Sequence, residues 1–191
     1  DFYFITADTQ VPEEVKAIAD VVEGEGVKIF GTTVTTMDAL ELLETYKYDR
    51  TFAMYHETPN EYPAEALIGG HGSKSTGSVT YMFKKLVGIT PQHFTTAKVL
   101  DIEKLFGFVY VEKFGKNETS EGTMLSGEYI DVIHSKDWIK INIEMQIQNV
   151  FSTNDKVAFD STGTALIEAA IENVLKDAAR SGMIAVGDDN Q

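Results

Sequence analysis

Residues 27–56 read VKIFGTTVTTMDALELLETYKYDRTFAMYH, in which two apolar runs enclose a segment with helical periodicity. The runs Val27–Thr33 and Thr51–His56 are rich in β-branched and aromatic residues, which is typical of strands. Between them, Leu40 and Leu43 recur at the spacing of a helix that buries one stripe. The stretch therefore predicts a strand, a helix and a second strand in succession.

The preceding residues repeat this pattern. Phe2–Thr6 is an apolar, aromatic run, and Pro12 opens a helix that Gly24 and Gly26 end. The apolar positions on one face of that helix are Val15, Ile18, Ala19 and Val22. Strand–helix–strand–helix–strand at this spacing predicts βαβ crossovers and a parallel sheet.

The middle of the chain has shorter and less regular patterns. We expect a short helix over Ala64–Ile68, a flexible Gly- and Ser-rich turn over Gly69–Ser78 and a strand over Ser78–Leu86. Farther along, Phe108–Phe114 and Met124–Ile130 are expected to pair as a hairpin.

Threonine and serine positions predict where three helices begin. Thr35, with Asp38 three residues later, resembles a capping box, and Thr90-Pro91 places a capping residue before a proline at the first helical position. Ser161 or Thr162 is expected to cap a helix that ends before Gly182.

Residues 137–151 carry two conflicting signals. Isoleucine or methionine occupies every second position from Ile139 to Ile147, which indicates a strand, yet Ile139, Ile143 and Phe151 also share one helical face. Periodicity alone does not decide between the two, and the length of the run favours a helix. The last helix, over residues 162–181, is expected to bury two apolar rows with Ile171 between them.

These patterns predict an α/β fold, with α+β character in the second half. It begins as βαβαβ, has a mixed sheet flanked by helices, and ends in two long helices. We expect one compact domain over residues 1–191, truncated at both ends, with a polar tail or linker at 186–191.

Composition excludes several classes of function. The chain has 30 acidic and 16 basic residues, a net charge of −14, which argues against a nucleic-acid groove and against docking on an anionic membrane. The absence of cysteine excludes disulfides, thiol catalysis and thiolate metal sites.

Known catalytic and binding motifs fail in spacing or context. In the Gly-rich stretch, aligning a phosphate-loop pattern on Lys74 puts the two required glycines at Ile68 and Ser73. The first strand is followed by Ala7-Asp8-Thr9-Gln10, without the glycines of a dinucleotide site. We therefore expect no catalytic, cofactor-binding or metal site, no cofactor and no enzymatic activity.

Three stretches together resemble the contractile tail sheath proteins of tailed bacteriophages and prophages. The first comprises ALIGG at 66–70 and GSVTYMFKKLVGITP at 77–91, and the second is GEYIDVIHSKDWI at 127–139. The third, over 162–185, has an ALIEAA opening and a GMIA exit. Position 134 is His where sheath proteins often have Arg, which puts in doubt any salt bridge that the Arg would make.

The resemblance implies a function without chemistry. It implies a viral structural protein that stacks helically around a tail tube and rearranges as a rigid body during contraction for DNA delivery. Its partners would be other copies of the sheath subunit, the tail tube protein, and baseplate and tail terminator proteins, without direct contact to nucleic acid or membrane. It would reside in the virion tail after assembly in the bacterial host cytoplasm. The resemblance also favours a helix for 137–151.

The alternative hypothesis is an α/β enzyme or small-ligand-binding module. Its site would lie at the carboxyl ends of strands 1–3, near Thr6-Ala7-Asp8, Thr32-Thr33 and His56-Glu57.

Overall fold

The computed structural model of the chain describes residues 2–58 and 60–185, so the predicted tail at 186–191 lies outside the described residues. The chain divides into two compact units. The first comprises the residues up to Lys74 together with Val79–Ile133, and the second comprises Ser75–Ser78 and the residues from His134 onward. A single domain over 1–191 stays a prediction.

The first unit is built on a mixed sheet with the strand order β1-β2-β3-β4-β5. Neighbouring strands from β1 to β4 are parallel, and β5 is antiparallel to β4. Every residue of β2 and β3 is buried, as expected for parallel strands that are covered on both faces. The strands are β1 (Phe4–Thr6), β2 (Ile29–Val34), β3 (Thr51–Tyr55), β4 (Phe108–Lys113) and β5 (Lys116–Thr119).

Six helices accompany the described strands. They are α1 (Pro12–Glu25), α2 (Met37–Glu44), α3 (Pro63–His71), α4 (Thr96–Lys104), α5 (Ile130–Thr153) and α6 (Ser161–Arg180). The predicted βαβαβ start, the mixed sheet and the two long final helices are therefore confirmed. None of the helices among the described residues has both the length and the apolar character needed to cross a bilayer.

Side chains of the sheet alternate between two hydrophobic cores. Phe30, Ala53 and Val109 belong to the core that includes residues of α1, α2 and α4. Phe52 and Phe108 belong to the other core, which includes residues of α3. Because successive strand residues point to opposite faces, the two cores lie on opposite sides of the sheet.

The segment predicted as a strand over Ser78–Leu86 is irregular. Phe83 has a φ of 59°, in the left-handed region that no strand residue adopts. The segment is nevertheless fixed to the sheet, because Phe83 N donates to Thr119 O and Thr119 N donates to Lys84 O, each at 3.0 Å. These bonds around a single residue replace the continuous ladder that the apolar pattern had suggested.

Two predicted helix starts are displaced along the chain. The N-cap of α2 is Thr36, whose hydroxyl accepts from Ala39 N, and that of α4 is Thr95, whose hydroxyl accepts from Lys98 N. The prediction at Thr90-Pro91 is wrong because the chain there runs extended, with Gln92 N donating to Tyr110 O at 2.8 Å.

The predicted hairpin is also wrong in its second strand. β4 pairs with β5 through a two-residue turn, so that Lys113 and Lys116 stand opposite each other. A strand at Met124–Ile130 is not formed, and the Gly-rich stretch begins inside α3 instead of in a loop.

The helix over 137–151 is confirmed as part of α5. In α6 the cap is Asp160, whose carboxylate accepts from Thr162 N and Gly163 N, so neither Ser161 nor Thr162 caps it. The face of α6 that was expected to be buried is confirmed at Ala170 and Val174 and wrong for the row that contains Ile171. The fully buried positions are Gly163, Ala170, Val174 and Ala178, while Ile171 is only half-buried.

Candidate functional site

The carboxyl ends of β2 and β3 hold the polar residues that the sequence singled out for the alternative hypothesis. His56 follows β3, and its backbone N donates to Val34 O at the end of β2 at 2.9 Å. Its imidazole is fully buried. The parallel register therefore brings Thr33, His56 and Glu57 together at the carboxyl ends of the strands, as predicted.

The His56 ring bonds to loops of its own chain. Nε2 lies 2.9 Å from Thr90 O, and Thr58 N donates to Nδ1 at 3.3 Å. Nε2 also lies 3.1 Å from the Gln92 amide nitrogen and 3.5 Å from a Glu61 carboxylate oxygen. The contacts with Thr58 N and Thr90 O fit a ring that accepts at Nδ1 and donates at Nε2 to the carbonyl, in which case the Gln92 amide nitrogen is a neighbour of Nε2 and not its hydrogen-bond partner. The ring holds Thr58, Glu61 and the segment at 90–92 against the end of β3.

Glu57 is engaged in an ion pair. Its carboxylate contacts Lys98 Nζ, which lowers the pKa of Glu57. The same ammonium lies 4.5 Å from the centre of the Phe94 ring. Because both partners are partly exposed, the pair adds little to stability and fastens α4 near the end of β3.

Thr33 links β2 to the start of α3. Its hydroxyl accepts from Ala64 N at 3.3 Å and donates to Glu65 at 3.1 Å. Burial raises the pKa of Glu65, and the charge of Asp8 acts in the same direction. One Glu65 oxygen and the Thr32 hydroxyl are buried without a hydrogen-bond partner among the described residues. The carboxyl end of the sheet is thus a polar cluster, with two unsatisfied buried oxygens, that joins elements of the fold.

The arrangement offers little to a ligand. Its best-placed titratable group, His56, is enclosed and already occupied at both nitrogens. Within residues 2–58 and 60–185, no three His, Asp or Glu side chains are grouped so that they could hold a metal ion. The hydrogen bonds of His56 fix neighbouring loops to the end of β3, and this role requires no bound molecule.

The other residues that the sequence singled out do not converge on a site. Gly69, Gly70 and His71 form the last turn of α3. His134 lies 3.0 Å from the Thr76 hydroxyl, and burial lowers the pKa of His134. Trp138 is half-buried on α5.

Exposed apolar side chains are the more unusual feature of the molecule. In α5, none of residues 138–153 is fully buried, and Ile141, Met145 and Phe151 are each about half exposed. At the turn between β4 and β5, Phe114 is completely exposed. The search for motifs missed these residues because an apolar pattern does not tell which apolar residues stay on the surface. The available signal was Gly115 between two lysines, since glycine is a usual turn residue.

One family model matches part of the chain. Residues 130–191 match the model of the family described as E217 tail sheath protein gp31-like, C-terminal domain. No curated protein sequence is significantly similar to the chain.

Two solved structures share the fold over nearly the whole chain. A chain of the anti-feeding prophage (AFP) baseplate, solved by cryo-EM with 6-fold symmetry, superposes with a TM-score of 0.71 at 13% identity. That match covers 98% of this chain and 56% of the other. The crystal structure of the sheath tail protein Lin1278 from Listeria innocua gives a TM-score of 0.69 at 12% identity, over 100% of this chain and 48% of the other. The chain thus spans about half the length of these structures.

The family match lies on α5, α6 and the residues after them, and the shared fold includes the sheet and its helices. The resemblance to contractile tail sheath proteins is therefore confirmed, by the family model over residues 130–191 and by the fold over the rest of the chain.

Proposed function

We propose that this chain is a structural part of a contractile tail sheath subunit that stacks helically around a tail tube. The observation that carries the proposal is the match of residues 130–191 to the C-terminal domain of a tail sheath family, on a chain whose whole fold is that of a sheath protein. The proposal includes no catalytic, cofactor or metal site. Its location would be the virion tail, after assembly in the host cytoplasm.

The packing of the first unit supports movement as a rigid body during contraction. Two cores cover the two faces of its sheet, and buried rings such as Phe52 and Phe108 pack with centroids 5.8 Å apart. Close-packed interiors of this kind resist continuous deformation, so rearrangement would occur between subunits. The polar cluster around His56 supports the same view, because it fastens loops to the ends of the strands.

The proposed partners are other copies of the subunit, the tail tube protein, and the baseplate and tail terminator proteins. Exposed apolar side chains on α5 and at the β4–β5 turn are consistent with a protein that works through protein contacts. The charge of −14 disfavours nucleic acid as a direct partner.

Electron microscopy of the full-length protein tests this function. We expect hollow tubes of uniform diameter after expression. Dispersed particles that gain thermal stability on addition of a small ligand would instead support the enzyme or ligand-binding alternative. A variant with His56→Ala serves that comparison, since it should reduce stability in either case but should abolish ligand-induced stabilisation only if the edge of the sheet is a binding site.

A further inference from the structure

The turn between β4 and β5 has an unexpected residue at its first position. Phe114 and Gly115 have φ values of 51° and 76°, and a two-residue hairpin turn with both values positive is of type I′. Such turns favour Asn, Asp or Gly, and a bulky residue in the left-handed region is conformationally unfavourable. The fold would therefore be served better by Asn at position 114.

The surroundings of Phe114 add two further local costs. Its side chain is 106% exposed, so the ring gains nothing from the interior of the chain. Lys113 and Lys116 stand directly opposite each other, and like charges in that position are destabilising. A residue that is unfavourable in its turn, and that gains no burial inside the fold in return, is expected where it serves a function. Burial of the ring against another molecule is the gain that is missing.

A second aromatic residue and a third lysine lie beside the turn. Phe83 is 56% exposed and, with Lys85, lines a shallow groove together with Gly115 and Lys116. We name Phe83, Lys85, Lys113, Phe114 and Lys116 the tip patch. Glu118 also lines this groove, so one carboxylate faces the two lysines there, and Glu112 lies behind Lys113, farther from the turn.

An acidic surface with exposed apolar groups exists on the same chain. Along the outer side of α2 and just after it, Asp38, Leu42 and Tyr46 are spaced four residues apart, and all three are exposed. Glu41 is exposed beside them. Neither Asp38 nor Glu41 has an ion-pair partner among the described residues. We name these four residues the α2 face.

Two lysines beside Tyr46 are engaged elsewhere and do not neutralise this face. Lys16 lies 4.6 Å from the centre of the Tyr46 ring, but its ammonium is bonded to Asp20 at 2.6 Å. Lys47 is paired with Glu44. The carboxylates of Asp38 and Glu41 are thus open to cations from another molecule.

We infer that the tip patch of one copy of this chain docks on the α2 face of a second copy. The inference rests on the proposed function, and it names one contact by which subunits recognise each other. The lysines complement the two open carboxylates, and the Phe114 ring meets Leu42 and Tyr46. When two different surfaces of identical chains meet, a pair of copies still has one free surface of each kind. Further copies can therefore add, and the contact propagates into closed rings or open helical filaments.

A nucleic acid is a poorer occupant of the tip patch. Lysines beside exposed aromatic rings could bind a single strand, but a chain of net charge −14 repels a polyanion at long range. Two copies of this chain also repel each other at long range, so the contact depends on the local pairing of the tip lysines with Asp38 and Glu41 of the second copy.

Competition during assembly tests the inference with the full-length protein. Wild-type and tagged variant subunits are co-expressed, and the fraction of variant in purified tubes is compared with its fraction in the cell. Phe114→Asn should be depleted about tenfold or more, the effect of losing a central interface aromatic, although its fold is as stable as wild type or more so. Phe114→Tyr keeps the ring and the backbone conformation and should enter tubes as wild type does.

A charge exchange identifies the partner surface. Lys113→Glu with Lys116→Glu should be depleted to a similar degree, because it sets carboxylates against Asp38 and Glu41. Subunits that carry Asp38→Lys and Glu41→Lys in addition should assemble with each other again. Absence of this rescue, or equal incorporation of Phe114→Asn and wild type, would overturn the inference while leaving the sheath function intact.

Sedimentation of the 191-residue chain separates the inference from the proposed function. At high concentration we expect weak self-association that Phe114→Asn removes. If the full-length protein forms no tubes but this association is seen, the sheath function fails and the contact stands; if neither is seen, both fail. Saturable binding of a fluorescent single-stranded oligonucleotide that Phe114→Asn abolishes would assign the patch to nucleic acid and overturn the inference.

Discussion

Gly31, in β2, lies where the packing leaves no room for a side chain. A Cβ added there would lie 2.4 Å from Phe52 Cζ and 2.8 Å from Ile68 Cδ1. Ordinary carbon contacts are about 3.5–4.0 Å, so the Phe52 ring would have to move by about 1 Å. That ring is fully buried and stacks on Phe108, which leaves no open space for the movement.

We therefore expect Gly31→Ala to lower the free energy of unfolding by about 1–3 kcal/mol, the usual cost of overpacking a core. The backbone is not the reason, because the φ of Gly31 is not in the left-handed region. Gly70→Ala in α3 is the matched control. Nothing lies within 4 Å of a Cβ at Gly70, and Ala is favoured over Gly in a helix by about 1 kcal/mol.

Urea melts followed by circular dichroism measure both changes. The unfolding midpoint should fall for Gly31→Ala and rise slightly for Gly70→Ala, with the slopes unchanged. Phe52→Leu should cost less in the Gly31→Ala background than in the wild type, because it removes the atoms that clash. Additive effects of the two changes, or a Gly31→Ala variant as stable as wild type, would refute the packing argument.

Three further predictions concern α6 and the polar cluster at the edge of the sheet. Val174 is 4% exposed and the neighbouring Leu175 38%, so Val174→Ala should cost about 1–2 kcal/mol in urea melts and Leu175→Ala less, although it deletes more atoms. Asp160→Ala removes the cap of α6 and should cost about 1 kcal/mol, seen as a lower thermal midpoint than that of Asp160→Asn. Because burial raises the pKa of Glu65, the folded chain binds that proton more tightly than the unfolded chain does, and stability falls as the pH rises above the ordinary glutamate value. Glu65→Gln should therefore unfold at higher urea than wild type at pH 7, and the difference should vanish near about pH 4.

The sequence predicted the first part of the fold well for a physical reason. Strands buried on both faces are nearly continuous apolar runs, and helices that cover them have one apolar stripe, so residues 2–56 carry two distinct patterns. The ends of these elements were less predictable. Thr35 and Thr36 are both good caps, and only the hydrogen bond to Ala39 N distinguishes them.

The errors in the middle of the chain come from single residues in unusual conformations. An apolar pattern at 78–86 gives no warning that Phe83 adopts a left-handed conformation and breaks the strand. Phe114 misled in the same way, because Phe-Gly is not a usual turn pair and the predicted hairpin therefore placed its turn too late. Both residues belong to the tip patch, which agrees with the view that local rules are broken where a surface serves a function.

In α6, hydrophobicity identified two of the buried positions, Ala170 and Val174, but not Gly163 or Ala178. Both apolar rows contain large residues, yet the buried positions are mostly small, with Gly163, Ala170 and Ala178 among them. A Cβ at Gly163 would lie 1.9 Å from Ala158 O, so the close approach of the chain just before α6 requires glycine at this position. Large side chains such as Leu166 stay exposed. The burial of Gly163 depends on the close approach of Ala158, and a hydropathy pattern gives no information about such a distance.

The carboxyl ends of the strands were predicted as a group, but their partners were not. The atoms that engage the His56 ring come from Thr58, Glu61, Thr90 and Gln92, all of which lie in irregular segments. Sequence periodicity places the residues of regular elements and leaves such segments undefined. The sequence of a polar cluster at the end of parallel strands therefore does not show whether its polar atoms bind a ligand or form hydrogen bonds with other residues of the same chain.

The helix α5 shows why the same sequence carried two opposite signals. Isoleucine or methionine at every second position from Ile139 to Ile147 is unusual in a helix, because it distributes apolar side chains around the whole circumference. A helix of that kind is suited to contacts on several sides at once. Residues 138–153 have no fully buried member among the described residues, although the polar side of an ordinary surface helix is absent. The pattern that makes α5 ambiguous as an isolated sequence is thus the one expected of a helix that works inside a larger protein assembly.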